Sequence, residues 1–142
     1  MKNLKGRILA LDYGEKRIGL AISDPLGVTA QGLGTIEYKN LKEAIAEIKN
    51  VIVRYSVKKL VLGLPLNLKG EIGPIAREVQ KFAEHLKNET GIPVNFWDER
   101  LTSVEAERTL IQMGKSPGLN KKQIDEIAAI LILQGYLQSQ HG

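Results

Sequence analysis

The chain has 142 residues, of which 43% are hydrophobic and 25% are charged, the balance of a globular protein. This length suits a core of ordinary size, and we expect residues 1–142 to form a single domain. No apolar run reaches the roughly 18 residues of a membrane span, and the apolar run near the N-terminus is too short for a signal peptide. We therefore expect a cytoplasmic protein with no membrane partner.

The residue types restrict the chemistry further. There is no cysteine, which excludes disulfides, zinc knuckles and thiol catalysis. The two histidines are His85, inside a predicted helix, and His141, next to the last residue, and neither lies in a metal-binding spacing. Any metal site must therefore use oxygen ligands, which favours Mg²⁺ or Mn²⁺. The formal net charge of +4 permits a polyanionic partner without requiring one.

The first third of the chain reads as strands with short links. Residues 7–11 (RILAL) and 17–23 (RIGLAIS) are apolar runs joined by the turn-forming segment DYGEK. A third strand is predicted at 32–38 (GLGTIEY). Strands with such short connections most simply form an antiparallel meander.

Helices and strands alternate in the rest of the chain. Helical periodicity is seen after the N-caps Asn40 and Asn120, after Pro74 and after the capping box at 102–105. The predicted elements are helices at 41–55, 74–88, 102–113 and 121–138, and buried strands at 58–66 and 91–98. This order predicts an α/β fold in which a mixed sheet is covered by helices.

Acidic residues stand at the ends of these elements. Asp12 follows the first strand, Asp98 and Glu99 follow the last one, and Asp125 lies near the start of the final helix. Ligand sites in open α/β sheets form beyond the strand ends, so these acids are candidates for one site.

Each acid also has an ordinary structural interpretation. Asp12 could begin a hairpin turn, and Asp98 or Glu99 could pair with Arg100 in a loop. Asp125 could pair with Lys121 one helical turn earlier. The helix that carries Asp125 is almost wholly apolar, however, so it is predicted to be buried, and a buried carboxylate needs a partner.

A shared metal site explains the acids together. Carboxylates from distant parts of the chain could hold two divalent cations, the arrangement that cleaves phosphodiester bonds. Basic residues near these acids could contact a phosphate backbone. These are Lys16, Arg17, Arg100, Lys121 and Lys122.

Four segments then resemble a known family. The blocks LDYGEKRIGLAISD, GLPLNLKG, DERLTSVEAE and KKQIDEIAAILILQGYL are similar, in order and spacing, to those of the YqgF/RuvX family. That family is described as Holliday junction resolvases or pre-16S rRNA nucleases with an RNase H-like fold. The resemblance implies a five-stranded mixed sheet, with an antiparallel β1-β2-β3 meander followed by parallel strands, flanked by helices.

The resemblance also implies roles for individual residues. Asp12, Glu99 and Asp125 match the catalytic, metal-binding acids, and Asp98 competes with Glu99 as the middle ligand. Related junction resolvases have an acid just past the fourth strand, where this chain has Asn67. We predict that Asn67 and Thr102 join the basic residues in contacting the substrate.

The leading hypothesis is a metal-dependent nuclease for structured nucleic acid. It would process the 5′ end of pre-16S rRNA or resolve Holliday junctions, and the sequence leaves RNA and branched DNA both open. One alternative is a non-catalytic RNA-binding or ribosome-assembly factor. Another is a nucleotide-binding phosphotransferase-like domain, since such proteins also place Asp-x-Gly after their first strand. No exposed apolar stripe indicates a stable oligomer, so we expect a monomer or a weak homodimer.

Overall fold

The computed structural model describes residues 6–101, 112 and 120–141. Its strands and helices follow one another in the predicted order. They are β1 (Arg7–Tyr13), β2 (Arg17–Ser23), β3 (Ala30–Glu37), α1 (Leu41–Tyr55), β4 (Val57–Leu64), α2 (Pro74–Thr90), β5 (Val94–Asp98), a 3₁₀ turn (Glu99–Leu101) and α3 (Lys121–His141). Of the helix predicted at 102–113, only residue 112 is among the described residues, and it is helical.

Four of the five strands differ from the predicted bounds: β3 is Ala30–Glu37 and not 32–38, β4 is Val57–Leu64 and not 58–66, and β1 and β5 differ as follows. β1 continues to Tyr13, so Asp12 lies inside the strand and not after it, because the ladder with β2 extends to the Tyr13–Ile18 pair. β5 begins at Val94 instead of 91. Gly91 ends α2 with a φ of 70°, and Pro93 cannot donate to a ladder, so neither residue suits a strand.

The five strands form one sheet in the order β3-β2-β1-β4-β5. The β1–β2 and β2–β3 pairs are antiparallel, and the β1–β4 and β4–β5 pairs are parallel. This confirms the predicted meander followed by parallel strands.

Both predicted asparagine caps are present. Asn40 accepts a hydrogen bond from the backbone N–H of Glu43 at 2.8 Å. Asn120 accepts one from the backbone N–H of Gln123 at 3.0 Å, and the Gln123 side chain accepts from the Asn120 N–H at 2.9 Å. This reciprocal capping box fixes where α3 begins.

The helices cover the two faces of the sheet unequally. The α1/α2 face is packed with large apolar side chains, including Leu9 and Leu11 of β1 and Phe82 of α2. The opposite face, which we call the α3 face, has smaller strand residues such as Ala10 and Ala21 beneath α3. None of the helices in the described part of the chain is both long and apolar enough to cross a membrane.

Candidate functional site

The site is built around Asp12, which has a glycine on each side in the sheet. Side chains alternate along β1, so Asp12 shares the α3 face with Ala10, two residues earlier. Its partner in β2 is Gly19. On the other side, Gly63 of β4 stands one position beyond the Leu11–Leu62 pair. The two strands that flank Asp12 therefore leave space above the sheet at this level.

Asp125 reaches this space because Gly19 lets α3 rest on the sheet. A Cβ atom at Gly19 would lie 2.0 Å from the Asp125 carbonyl oxygen, closer than real atoms approach. The Asp125 side chain pairs with Arg17, whose Nε donates to Oδ2 at 2.8 Å. The alternative pairing with Lys121 is therefore not the one observed.

Glu99 occupies the space above the other glycine. A Cβ atom at Gly63 would lie 2.6 Å from Glu99 Oε1. Glu99 begins the 3₁₀ turn directly after β5, and the turn carries its carboxylate back over the sheet. Burial, with a smaller contribution from the negative charge of Asp98, raises the pKa of Glu99 above its usual range.

The neighbouring Asp98 is held differently. Its carboxylate accepts hydrogen bonds from Nε and Nη2 of Arg100, the closest at 2.7 Å, and from the Arg100 backbone N–H at 3.0 Å. The Arg100 side chain thereby lowers the pKa of Asp98. Asp98 is thus already neutralised within its own loop, as one of the structural interpretations predicted, whereas Glu99 has no such partner in the described structure.

The three predicted acids interact through their charges. Burial, followed by the negative charges of Glu99 and Asp125, raises the pKa of Asp12 to about 7. Within residues 6–101, 112 and 120–141, no three acidic or histidine side chains are already arranged as a metal-ligand set. The acids provide only oxygen donors and an unbalanced negative charge, which suits a hard divalent cation.

The predicted basic residues divide into paired and exposed groups. Arg17 pairs with Asp125 and Arg100 with Asp98, and Lys122 Nζ lies 2.8 Å from Glu37 Oε1. Lys16 and Lys121 are exposed near the same end of the sheet. Thr102 lies outside the described residues.

Asn67 shapes the loop that follows β4. Its Oδ1 accepts hydrogen bonds from the backbone N–H groups of Lys69 and Glu71, both at 2.9 Å. Its Nδ2 donates to the Glu71 carboxylate at 3.1 Å. The structure therefore shows Asn67 organising this exposed loop.

Glu126 is a site-building residue that sequence reasoning missed. Its carboxylate accepts a hydrogen bond from the backbone N–H of Gly34, which has a φ of 88°. The β2–β3 register shifts at this point, and Gly32 leaves room for the Glu126 side chain. The signal was the spaced pair of glycines in β3, since small residues at such positions admit a close helix.

Comparisons with known proteins identify the family of this chain. The family model described as RuvX, Holliday junction resolvase, matches residues 6–139. The "Putative pre-16S rRNA nuclease" of Moorella thermoacetica is 52% identical over 131 residues, covering 92% of this chain and 94% of the relative. The protein of the same name in Clostridioides difficile is 52% identical over 134 residues, covering 94% and 95%.

Solved structures show the same fold at low sequence identity. Thermus thermophilus RuvC in complex with a Holliday junction substrate superposes with a TM-score of 0.65 at 13% identity, over 96% of both chains. The fowlpox virus Holliday junction resolvase gives a TM-score of 0.56 at 15% identity, over 94% of this chain and 99% of the other. The RNase H-like fold is thus confirmed. Because the family model and the curated relatives both span nearly the whole chain, this protein belongs to the RuvX family of Holliday junction resolvases.

Proposed function

We propose that this protein is a metal-dependent nuclease that cleaves phosphodiester bonds in structured nucleic acid, with the 5′ end of pre-16S rRNA as its substrate. The observation that carries the proposal is the meeting of Asp12, Glu99 and Asp125 on the α3 face, where burial, followed by the charges of Glu99 and Asp125, raises the pKa of Asp12. The names of the relatives support RNA as the substrate. The family description and the RuvC fold support branched DNA as the second substrate class.

Asp12, Glu99 and Asp125 are the proposed ligands for two Mg²⁺ or Mn²⁺ ions. Asp98 is the weaker candidate for the middle position, because Arg100 already donates hydrogen bonds to both of its oxygens. When bound, such ions lower the pKa of an attacking water and neutralise charge on the leaving oxygen. Oxygen-only donors and an excess of negative charge are what these ions require.

The chain's own residues position the chemistry. Burial of Asp12 and Glu99 holds their carboxylates in a setting where electrostatic interactions are strong. The glycines at 19 and 63 fix how closely Asp125 and Glu99 approach Asp12. Lys16, Lys121 and Lys122 contribute positive charge that attracts a phosphate backbone.

The remaining expectations extend this proposal. Residues 1–142 form a single nuclease domain, since both the family match and the sheet run through most of the chain. A protein that processes ribosomal RNA is expected in the cytoplasm. We also propose that it is a monomer or a weak homodimer.

The test is cleavage of two substrates, a 5′-extended 16S rRNA fragment and a four-way DNA junction, in Mg²⁺, in Mn²⁺ and in EDTA. We expect Asp12→Asn and Asp125→Asn to reduce cleavage by about a hundredfold or more, because each removes a proposed ligand of the reacting centre. Glu15→Gln is the matched control: Glu15 is an exposed acid in the same hairpin and should be dispensable.

Two further comparisons separate the alternatives. Glu99→Gln should reduce cleavage more than Asp98→Asn, and the reverse order would make Asp98 the middle ligand. If Asp12→Asn and Asp125→Asn cleave as well as the wild type, the assigned site is wrong. Salt-dependent binding of both substrates without cleavage would identify a non-catalytic RNA-binding factor instead.

A further inference from the structure

The site contains two arginine–aspartate pairs that differ in strength. Arg100 donates hydrogen bonds to the Asp98 carboxylate from Nε and Nη2, and its backbone N–H donates to the same carboxylate. Arg17 donates to Asp125 from Nε to Oδ2. The first pair is a closed unit within one turn, whereas the second joins two elements through a single hydrogen bond.

The pairing with Arg17 is also not what holds α3 on the sheet. The first turns of the helix are attached through Glu126, which accepts from the Gly34 N–H, and through Lys122, whose carbonyl accepts from Thr35 Oγ1 at 2.6 Å. The Asp125 backbone rests directly on Gly19. These contacts remain if the Arg17 side chain turns away, so Asp125 keeps its place without its partner.

Exchange of this pair costs little free energy. The side chains of Arg17 and Asp125 are 30% and 26% exposed, so water screens their attraction. A surface groove of about 890 Å³ opens beside Arg17, and its charged lining is mixed: Lys16 and Lys39, with Glu15, Glu37 and Glu43. The guanidinium therefore has space to turn into outside the acidic site.

We propose that Arg17 is an exchangeable counter-ion, which neutralises Asp125 in the metal-free protein, leaves Oδ2 when a divalent cation binds, and is then available to a substrate phosphate. This inference rests on the metal site of the proposed function. In the absence of metal, Arg17 is the ion-pair partner of Asp125. Asp98 differs, because its partner Arg100 stays in place whether or not a cation is bound.

Arginine Nε–H signals measured by NMR during a Mg²⁺ titration test the exchange directly. The Arg17 signal is assigned by its loss in Arg17→Lys. We expect its exchange with water to accelerate at saturating Mg²⁺, as its hydrogen bond to Asp125 is lost. The Arg100 signal should stay unchanged, which makes the second pair an internal control within the same molecule.

Calorimetric titration with Mn²⁺ supplies the second measurement. Arg17→Met removes the competitor, so Mn²⁺ should bind more tightly by up to about fivefold, the upper limit set by one exposed ion pair. Lys16→Met removes the same charge one residue away and measures the general effect of lost positive charge, which should stay below about twofold.

The proposal is supported only if Arg17 is released and Arg17→Met binds Mn²⁺ more tightly than Lys16→Met. An unchanged Arg17 signal, or Mn²⁺ affinity in Arg17→Met that is equal to or weaker than that of Lys16→Met, overturns it. If Asp12→Asn abolishes Mn²⁺ binding while Arg17 stays paired, the counter-ion inference alone has failed. If Mn²⁺ binds neither the wild type nor Arg17→Met, the proposed metal site has failed with it.

Discussion

The face of the sheet under α1 and α2 carries leucine, isoleucine and valine, whereas the face under α3 carries smaller residues, chiefly alanine and glycine. Large side chains on the α1/α2 face keep the helices at a distance and bury apolar area, which stabilises the fold. Small side chains on the α3 face bury less apolar area, but they allow the backbone of α3 to contact the strands directly. The comparison shows how one sheet separates stability from site geometry.

The two faces also differ in electrostatics. On the α3 face, burial and the neighbouring acids raise the pKa of Asp12 to about 7, so its ionised form is disfavoured in the folded protein. The α1/α2 core consists of apolar side chains in mutual contact. The buried acid on the α3 face therefore lowers the stability of the folded protein, whereas the apolar α1/α2 core has no such cost. Loss of stability of this kind is common at functional sites.

The largest effect on stability is expected from the α1/α2 face. Leu86 of α2 is fully buried there, so Leu86→Ala should lower the free energy of unfolding by about 3 kcal/mol through lost contacts and a cavity. Cleavage per folded molecule should remain at the wild-type level, measured below the unfolding transition. Loss of cleavage by the folded variant would show that the two faces are not separate.

Gly19→Ala should combine a smaller loss of stability with loss of the site. Its Cβ would meet the Asp125 carbonyl oxygen at 2.0 Å, so α3 must shift, at a cost of about 2 kcal/mol. We expect Mn²⁺ binding and cleavage to fall together, since Asp125 moves with the helix.

Gly73→Ala is the matched glycine control for this experiment. In the described part of the chain, no atom beyond its two sequence neighbours lies within 4 Å of a Cβ at Gly73, which directly precedes α2. It should cost less than about 1 kcal/mol, the range of an N-cap change, and leave Mn²⁺ affinity unchanged. Equal Mn²⁺ affinities in the two variants would contradict the role given to Gly19.

Asp12→Asn should increase stability in EDTA, although it removes activity. The pKa of Asp12 is raised in the folded state from 3.8 to about 7, so ionisation destabilises the fold as pH rises between these values, and fully above them. The amide cannot ionise, and we expect it to add about 1 to 2 kcal/mol at pH 8, a part of the free energy that the shift represents.

Denaturant unfolding at pH 8 and at pH 4 in EDTA measures this effect. The advantage of Asp12→Asn should shrink as pH falls below 7 and become small near pH 4, where the wild-type carboxyl is protonated in the folded state and close to its ordinary pKa of 3.8 in the unfolded chain. Excess Mg²⁺ should reverse the order at pH 8, because ligand binding stabilises only the protein that retains its site. A pH-independent difference would show that burial of Asp12 is not the cause.

The order of the elements could be predicted because each depends on local signals. Asn40 and Asn120 cap the helices that follow them, and the apolar runs at 7–11 and 17–23 indicate buried strands. Asp12, Asp98, Glu99 and Asp125 could be selected as candidates because acids near element ends converge in this kind of sheet, and the preference for Glu99 over Asp98 came from the family resemblance. The grouping of Asp12, Glu99 and Asp125 is visible in the charges that act on Asp12.

The partners of these acids could not be predicted from the sequence. Whether Asp125 pairs with Lys121 or with Arg17 depends on the distance between α3 and β2, which Gly19 sets through a contact 106 positions along the chain. Glu126 was missed for the same reason, since its partner is a backbone N–H exposed by a register shift in β3. Sequence periodicity indicates which side of a helix or strand is buried, but it does not indicate how closely a helix approaches the sheet.

The smallest effect is expected from surface lysines, and it sharpens the comparison between the two faces. Lys122 pairs with Glu37 at 2.8 Å beside the site, and Lys49 pairs with Glu89 at 3.3 Å across α1 and α2. All four side chains are about half exposed, so Lys122→Ala and Lys49→Ala should each change stability by less than about 0.5 kcal/mol.

Lys122→Ala should nevertheless weaken RNA binding and reduce its salt dependence by about one unit of slope, because one phosphate contact is lost. Lys49→Ala should leave both unchanged in the same salt titration. If the two variants weaken RNA binding equally, binding depends on the net charge of the whole protein and not on a specific contact with the α3 face.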